Sequence, residues 1–400
     1  MQGFDRGRLG RLHDVVAGHI GRDAVGGVAW LAARGDDVEV GLAGSLTRGQ
    51  PEAVRRDTLF RIASMTKPIV AVAALILVEE CQLRLDDPVD ELLPELASRR
   101  VLVDPTGPID GDTVPAVRPI TVGDVLTFRL GLGMDFQAGW PQPLLEAMGE
   151  LGLGAGPPEP QVPPEPDEWM RRLGTLPLLY QPGERWLYNT GSDVLGVLVA
   201  RAAGQPVDVF LQERVFEPLG MVDTGFTASD VSRLGSCYTI DPRRGERVVY
   251  DPPAGQWAKP PAFPSGGGGL VSTLDDVHAF GAMLLSGGRL PDGSRLVSRA
   301  SVEAMTTDHL GVDRGAPGAS PDGSMGWGFG VGVQVRRAGL ARTVGSYGWD
   351  GGLGSSWVND PREGLVGVVL TTDMFTSAYP PPQVIQDFWT CVYSAIGDPT

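Results

Sequence analysis

Ser64-Met65-Thr66-Lys67 places a hydroxyl and a primary amine three residues apart. On a helix that spacing puts both groups on one face about one turn apart, so they can touch. A serine able to pass its proton to an adjacent amine is an activated nucleophile for a carbonyl carbon. At a helix start the free N–H groups and the positive dipole end also suit an oxyanion. An N-cap serine followed by a solvated lysine fits the same four residues. The background composition weighs on that choice: of 33 basic residues only Lys67 and Lys259 are lysine and the other 31 are arginine. Arginine stays charged near neutral pH, whereas a desolvated lysine can release its proton.

Phe60 to Pro68, reading Phe-Arg-Ile-Ala-Ser-Met-Thr-Lys-Pro, resembles the nucleophile segment of the serine β-lactamases, penicillin-binding proteins and family VIII esterases. Further resemblances stand in the family's order. Pro182 to Thr190, containing Tyr188-Asn189-Thr190, is similar to the Y-x-N segment, and Asp193-Val194-Leu195-Gly196 follows as in the esterases. Gly266 to Thr273 resembles the glycine-rich turn before a late helix. Gly348-Trp349-Asp350-Gly351-Gly352, with Trp357 and Asp360-Pro361 after it, resembles the strand that carries K-T-G in β-lactamases and W-G-G in many family VIII esterases. The resemblance runs from about residue 25 to 395.

That resemblance implies roles. Ser64 would attack a carbonyl, with Lys67 and Tyr188 as the groups that move its proton, each lowering the other's proton affinity in a dry site. The oxyanion would sit between the backbone N–H groups of Ser64 and Gly352, the latter on an edge strand. Trp349, Asp350, Gly351 and Thr190 would contact substrate. His13, His19, His278 and His309 lie outside these motifs and no G-x-S-x-G occurs, so a Ser-His-Asp triad does not fit. No metal or cofactor is implied.

Two departures bear on substrate. Trp349 stands where β-lactamases place a lysine for the substrate's carboxylate, and Thr190 where they carry an asparagine for its amide. Both losses remove polar recognition of a β-lactam or a D-Ala-D-Ala peptide, and tryptophan offers an apolar wall for an acyl or alkyl group. The implied function is a serine hydrolase of carboxylic esters acting through an acyl-serine. Its alternatives are an acyltransferase using the same intermediate, a β-lactamase or D-amino-acid peptidase, and, on different grounds, a non-catalytic binding protein. The partner is a small-molecule ester or acyl donor. Leu126-Thr127-Phe128-Arg129-Leu130-Gly131 departs from the family's L-T-H-T-S-G segment, with no functional account.

The elements that must position these residues follow from periodicity. Val25 to Arg34 and Asp37 to Ser45 read as a hairpin turning at Gly35. A helix from Ser64 to about Glu80 is apolar on nearly every face, which places it at the centre of the fold. Short helices are expected at Asp87 to Leu96, Thr121 to Leu126, Pro166 to Leu173, Asp193 to Ala203 and Pro206 to Val215, with few strands among them. Gly156 to Pro166 holds six prolines in eleven residues and reads as a polyproline-like surface connection. Thr273 to Leu285 and Val384 to Ile396 read as helices. Gly328 to Val335, Thr343 to Tyr347, Ser355 to Asn359 and Leu365 to Thr371 read as strands. Together they imply an α+β chain of β-lactamase/transpeptidase-like fold: an α/β domain from residues 1–84 and 265–400, with a largely helical insertion at 85–264.

Composition bounds the rest. The chain has 400 residues, 42% of them apolar, which suffices for a substantial core, and 56 glycines and 34 prolines foretell many turns. A net charge of −16 argues against nucleic acid. The longest apolar run, Ile69 to Val78, is too short to cross a membrane. Met1 to Val16 has no apolar signal region, so a cytoplasmic location is expected. Cys81, Cys237 and Cys391 form no C-x-x-C and are expected to be buried free thiols.

Overall fold

In the computed structural model, which describes residues 3–312, 318–377 and 380–397, the two ends of the chain build one sheet. Its strands are β1 (Gly27–Arg34), β2 (Asp37–Gly44), β3 (Met325–Trp327), β4 (Gly332–Gln334), β5 (Tyr347–Gly351), β6 (Ser355–Asp360) and β7 (Leu365–Thr371). They lie in the order β2-β1-β7-β6-β5-β4-β3, every pairing antiparallel. β1 turns into β2 at Gly35, and pairs on its other side with β7 from Val28 opposite Thr371 to Arg34 opposite Leu365.

Both faces of this sheet are covered. The principal helices are α1 (Arg6–Gly21), α2 (Thr66–Glu79), α3 (Thr190–Ala203), α4 (Leu274–Leu285) and α5 (Gln383–Ser394). Because side chains alternate along a strand, Val28, Trp30 and Ala32 pack with Leu12, Val16, Ile385 and Phe388 of α1 and α5. Ala29, Leu31 and Ala33 instead join the larger core with α2 and α4. A strand buried on both sides is apolar nearly throughout: all eight residues of β1 are buried, and its one charged residue, Arg34 at the end, donates Nε to the Glu363 carbonyl at 2.9 Å. α2 is buried from Thr66 to Leu77, as a helix apolar on all faces requires.

Several boundaries differ from the sequence expectation. The α-helix begins at Thr66, and Ser64 sits in a 3₁₀ turn, Ala63–Met65, ahead of it. The strand expected at Thr343 to Tyr347 is β5, displaced toward the Trp349 motif. The span Gly328 to Val335 holds a turn, with Gly330 at φ +70°, and then β4; β3 ends just before it at Trp327. Asp87 to Leu96 forms only two 3₁₀ turns, and two short ribbons, Arg100–Leu102 with Thr113–Pro115 and Cys237–Ile240 with Arg247–Asp251, occur where few strands were expected. Of the cysteines only Cys237 is buried; Cys81 is exposed and Cys391 half-buried. Among the described residues no single helix is long and apolar enough to cross a membrane.

Candidate active site

Ser64 is delivered by a short ribbon in which Phe60 and Arg61 pair with Ser272 and Val271. Arg61 is locked by a buried ion pair with Asp251, Nη2 to Oδ2 2.5 Å, and by Nη1 donating to the Gly235 carbonyl. Ala63 then adopts φ +44°, a left-handed conformation unfavourable for a residue with a Cβ, immediately before Ser64. The end of β5 presses on this turn: a Cβ at Gly351 would lie 2.2 Å from the Ile62 carbonyl, so glycine is required there. Ser355 Oγ donates to that same carbonyl at 3.0 Å.

Lys67, one turn after Ser64, is wholly buried. Its Nζ lies 2.8 Å from Ser64 Oγ, 2.7 Å from Asn189 Oδ1 and 2.5 Å from the Gly267 carbonyl, and 4.6 Å from the centre of the Tyr188 ring. Burial lowers the amine from 10.5 to about 7, with the nearby Asp193 carboxylate opposing that shift. A neutral amine can donate its two hydrogens to the two fixed carbonyl oxygens and turn its lone pair on the Ser64 hydroxyl. Asp193 is itself buried and held by Ser265 Oγ at 2.6 Å and the Gly267 N–H at 2.9 Å; burial raises its pKa. Gly267 thus bridges Asp193 and Lys67, and a Cβ there would fall 2.9 Å from Asp193 Oδ2.

Tyr188 is pinned by reciprocal backbone bonds with Met134. Burial raises its phenol well above the ordinary tyrosine range, while hydrogen bonds with Ser64 and Trp349 pull the other way. The expectation that each group lowers the other's proton affinity is corrected for Tyr188: desolvation penalises the phenolate and dominates. Trp349 is corrected too. Its indole Nε1 donates to the Tyr188 oxygen at 2.7 Å, so it is a polar partner as well as a wall. The side chain of Asp350, next along the strand, turns to the opposite face, where it accepts from Ser356 Oγ at 2.5 Å. Arg342 lies 3.4 Å from it. Asp350 is therefore not gathered with Ser64, Lys67 and Tyr188.

Gly352 follows β5 directly. β5 is an interior strand, not an edge, but β4 pairs only with Tyr347 and Gly348, leaving its last three residues unpaired on that side. Among the described residues neither the Ser64 nor the Gly352 N–H has an acceptor, and the Gly352 carbonyl is held by the Phe375 N–H at 2.9 Å. Thr190 is buried as the first residue of α3. Three of the four histidines are engaged elsewhere: His13 with Glu39, His19 with Asp387 and His309 with the Ala304 carbonyl.

Sequence reasoning missed Asn189, Asp193 and Gly267 as partners of Lys67. Asn189 adopts φ +81°, ψ −65°, closing a γ-turn in which the Thr190 N–H meets the Tyr188 carbonyl at 3.2 Å. This strained turn aims its side chain at Lys67. Asp193 is an acid in the first turn of a helix that is apolar from Val194 to Ala200, a usable signal for a buried counter-charge.

A family model described as Beta-lactamase matches residues 12–385. Esterase EstB of Burkholderia gladioli is 35% identical over 377 residues, 88% of this chain and 87% of that protein. Protein Rv1367c of Mycobacterium tuberculosis is 39% identical over 332 residues, 79% and 78% of the respective lengths. The solved structure of EstCE1, titled a hydrolase with promiscuous acyltransferase activity, has a TM-score of 0.78 at 25% identity, covering 96% of this chain and 98% of that one. The fold is thus β-lactamase/transpeptidase-like, and with the family model spanning most of its length the chain belongs to the β-lactamase family.

Proposed function

We propose that this protein is a serine hydrolase of carboxylic esters, of the family VIII kind, working through an acyl-Ser64 intermediate. The observation that carries the reading is the 2.8 Å approach of Ser64 Oγ to a buried Lys67 amine whose pKa is lowered to about 7. Neutral Lys67 takes the Ser64 proton as Oγ bonds to the ester carbonyl carbon. The carbonyl oxygen becomes an oxyanion between the Ser64 and Gly352 N–H groups, each such donor contributing roughly 2.7–4 kcal/mol in comparable sites. The C–O bond to the alcohol then breaks as Tyr188 gives its phenolic proton to the departing oxygen. Lys67 ammonium reprotonates the phenolate, so both groups return neutral. Water, deprotonated through the same pair, releases the acid and frees Ser64.

Similarity to esterase EstB supports ester hydrolysis, and Trp349 in place of a lysine removes the cation a β-lactam carboxylate needs. Similarity to EstCE1 favours a second reading, in which an alcohol or amine replaces water as acceptor of the same acyl group. Ser64→Ala tests the shared core of both. Hydrolysis of p-nitrophenyl butyrate should fall more than about a hundredfold, equivalent to about 2.7 kcal/mol, with thermal unfolding nearly unchanged. Retained turnover would defeat both readings.

A further inference from the structure

Tyr188 stands among aromatic rings. Trp186, Trp349 and Phe136 have ring centres 5.7, 5.6 and 5.0 Å from it, and Phe136 lies 5.6 Å from Trp186. Trp327 backs the group, 5.3 Å from Trp186 and 4.6 Å from Trp349. Phe136 is 42% exposed, so the ring group reaches solvent on that side. The residue before Phe136 is fastened by hydrogen bonds and an ion pair. The Asp135 N–H donates to Gln142 Oε1 at 3.1 Å, Gln142 Nε2 returns to the Asp135 carbonyl at 2.8 Å, and Arg185 pairs with Asp135 at 2.9 Å. Met134, two residues earlier, is bonded to Tyr188 itself. A second observation points to a ligand: the Trp186 Nε1 is buried with no acceptor among the described residues. The Nε1 of Trp327, behind it, is likewise without an acceptor among the described residues, and buried donors of this kind are satisfied by water or by an oxygen of a bound group.

Which half of the ester meets these rings follows from the direction of proton transfer. The group that protonates the leaving oxygen must lie on the leaving-group side, so the rings around Tyr188 face the alcohol. We propose that Phe136, Trp186 and Trp349 form the alcohol subsite and that it takes arylalkyl or other flat-ring alcohols, preferring those with a further oxygen acceptor. This rests on the reading of Tyr188 as the acid for the departing alcohol. Ring-on-ring contact supplies the preference, and Trp186 Nε1 the preference for an oxygen.

Paired esters of alcohols of similar acidity test it in the intact protein. Benzyl butyrate should exceed hexyl butyrate in kcat/KM by about tenfold, and 4-methoxybenzyl butyrate should exceed benzyl butyrate further. Methyl phenylacetate and methyl hexanoate, which carry the ring and chain on the acyl half, should differ by less than about threefold. Phe136→Ala should bring the benzyl-to-hexyl ratio toward one, and Trp186→Phe should erase the methoxy advantage while keeping the ring preference. Inhibition of the wild type by benzyl alcohol more strongly than by hexanol gives the same answer without a variant. Equal rates and equal inhibition would overturn the subsite, as would a ring preference confined to the acyl half. Failure of every ester, with no acyl group on Ser64, would instead overturn the underlying hydrolase reading.

Discussion

Lys67 brings its amine into a fully buried position faced by three acceptors and one aromatic ring. Because it must be neutral to accept the Ser64 proton, kcat/KM for p-nitrophenyl butyrate should rise with pH through about 7 and then level. A profile falling over that interval would contradict the assignment of Lys67 as base. Lys67→Arg keeps charge but cannot titrate, so it should be nearly inactive across the whole range. Stability carries the same signature. Between about 7 and 10.5 the unfolded chain holds a proton on this lysine that the native state does not, so stability rises with pH there. The unfolding free energy of wild type relative to Lys67→Met should increase by on the order of 4 kcal/mol across that window, measured by urea denaturation at each pH. Trp349→Phe removes the indole donor from Tyr188. Its kcat should fall about ten- to hundredfold, the rate equivalent of the roughly 1.5–3 kcal/mol of a hydrogen bond to a charged partner.

At the scale of elements, the proline-rich connection at 156–166 proves to be more than a surface link. A Cβ on Gly268 would lie 2.9 Å from Pro158 Cγ, so this strap crosses directly over the residue after Gly267. It is fastened by Tyr250 Oη donating to the Pro158 carbonyl at 2.8 Å and by Gln161 Nε2 reaching the carbonyls of Gln256 and Lys259 at 2.9 and 3.0 Å. Gln161→Ala, at an exposed position, should leave thermal unfolding almost unchanged and loosen the strap. The octanoate-to-acetate ratio of kcat/KM should then rise about threefold or more, which a series of p-nitrophenyl esters measures. An unaltered chain-length profile would show that the strap does not limit the acyl chain. The hairpin of β1 and β2, the buried α2 and the strands β6 and β7 were legible: β2 alternates, while β1, α2 and β7, buried on every side, leave continuous apolar runs. β5 was marked by its motif but placed too early by pattern, since Asp350 and Gly351 disfavour a strand and are held extended by pairing with Ser356 and Ser355. Ser64, Lys67 and Tyr188 were legible as motif residues. Their convergence with Asn189 and Gly267 depends on a γ-turn and a glycine contact between distant segments, which local pattern does not encode.

For the whole molecule, the N-terminal hairpin completes a sheet whose remaining strands come from the last third of the chain, so the site forms only when both ends have met. The Arg61–Asp251 pair fastens the Ser64 ribbon to the middle of the chain, with side chains 3% and 2% exposed. Asp251→Ala would leave a buried guanidinium unpaired, a loss of about 3–5 kcal/mol. Thermal unfolding should shift down sharply and activity fall with it, whereas an unchanged midpoint would refute this fastening role. The central claim, an acyl group carried on Ser64, is tested most directly by mass spectrometry of intact and digested protein quenched during turnover of p-nitrophenyl butyrate. The account predicts one butyryl group per chain on the peptide containing Ser64, absent from Ser64→Ala. An adduct on another residue, or ester turnover persisting in Ser64→Ala, would contradict it.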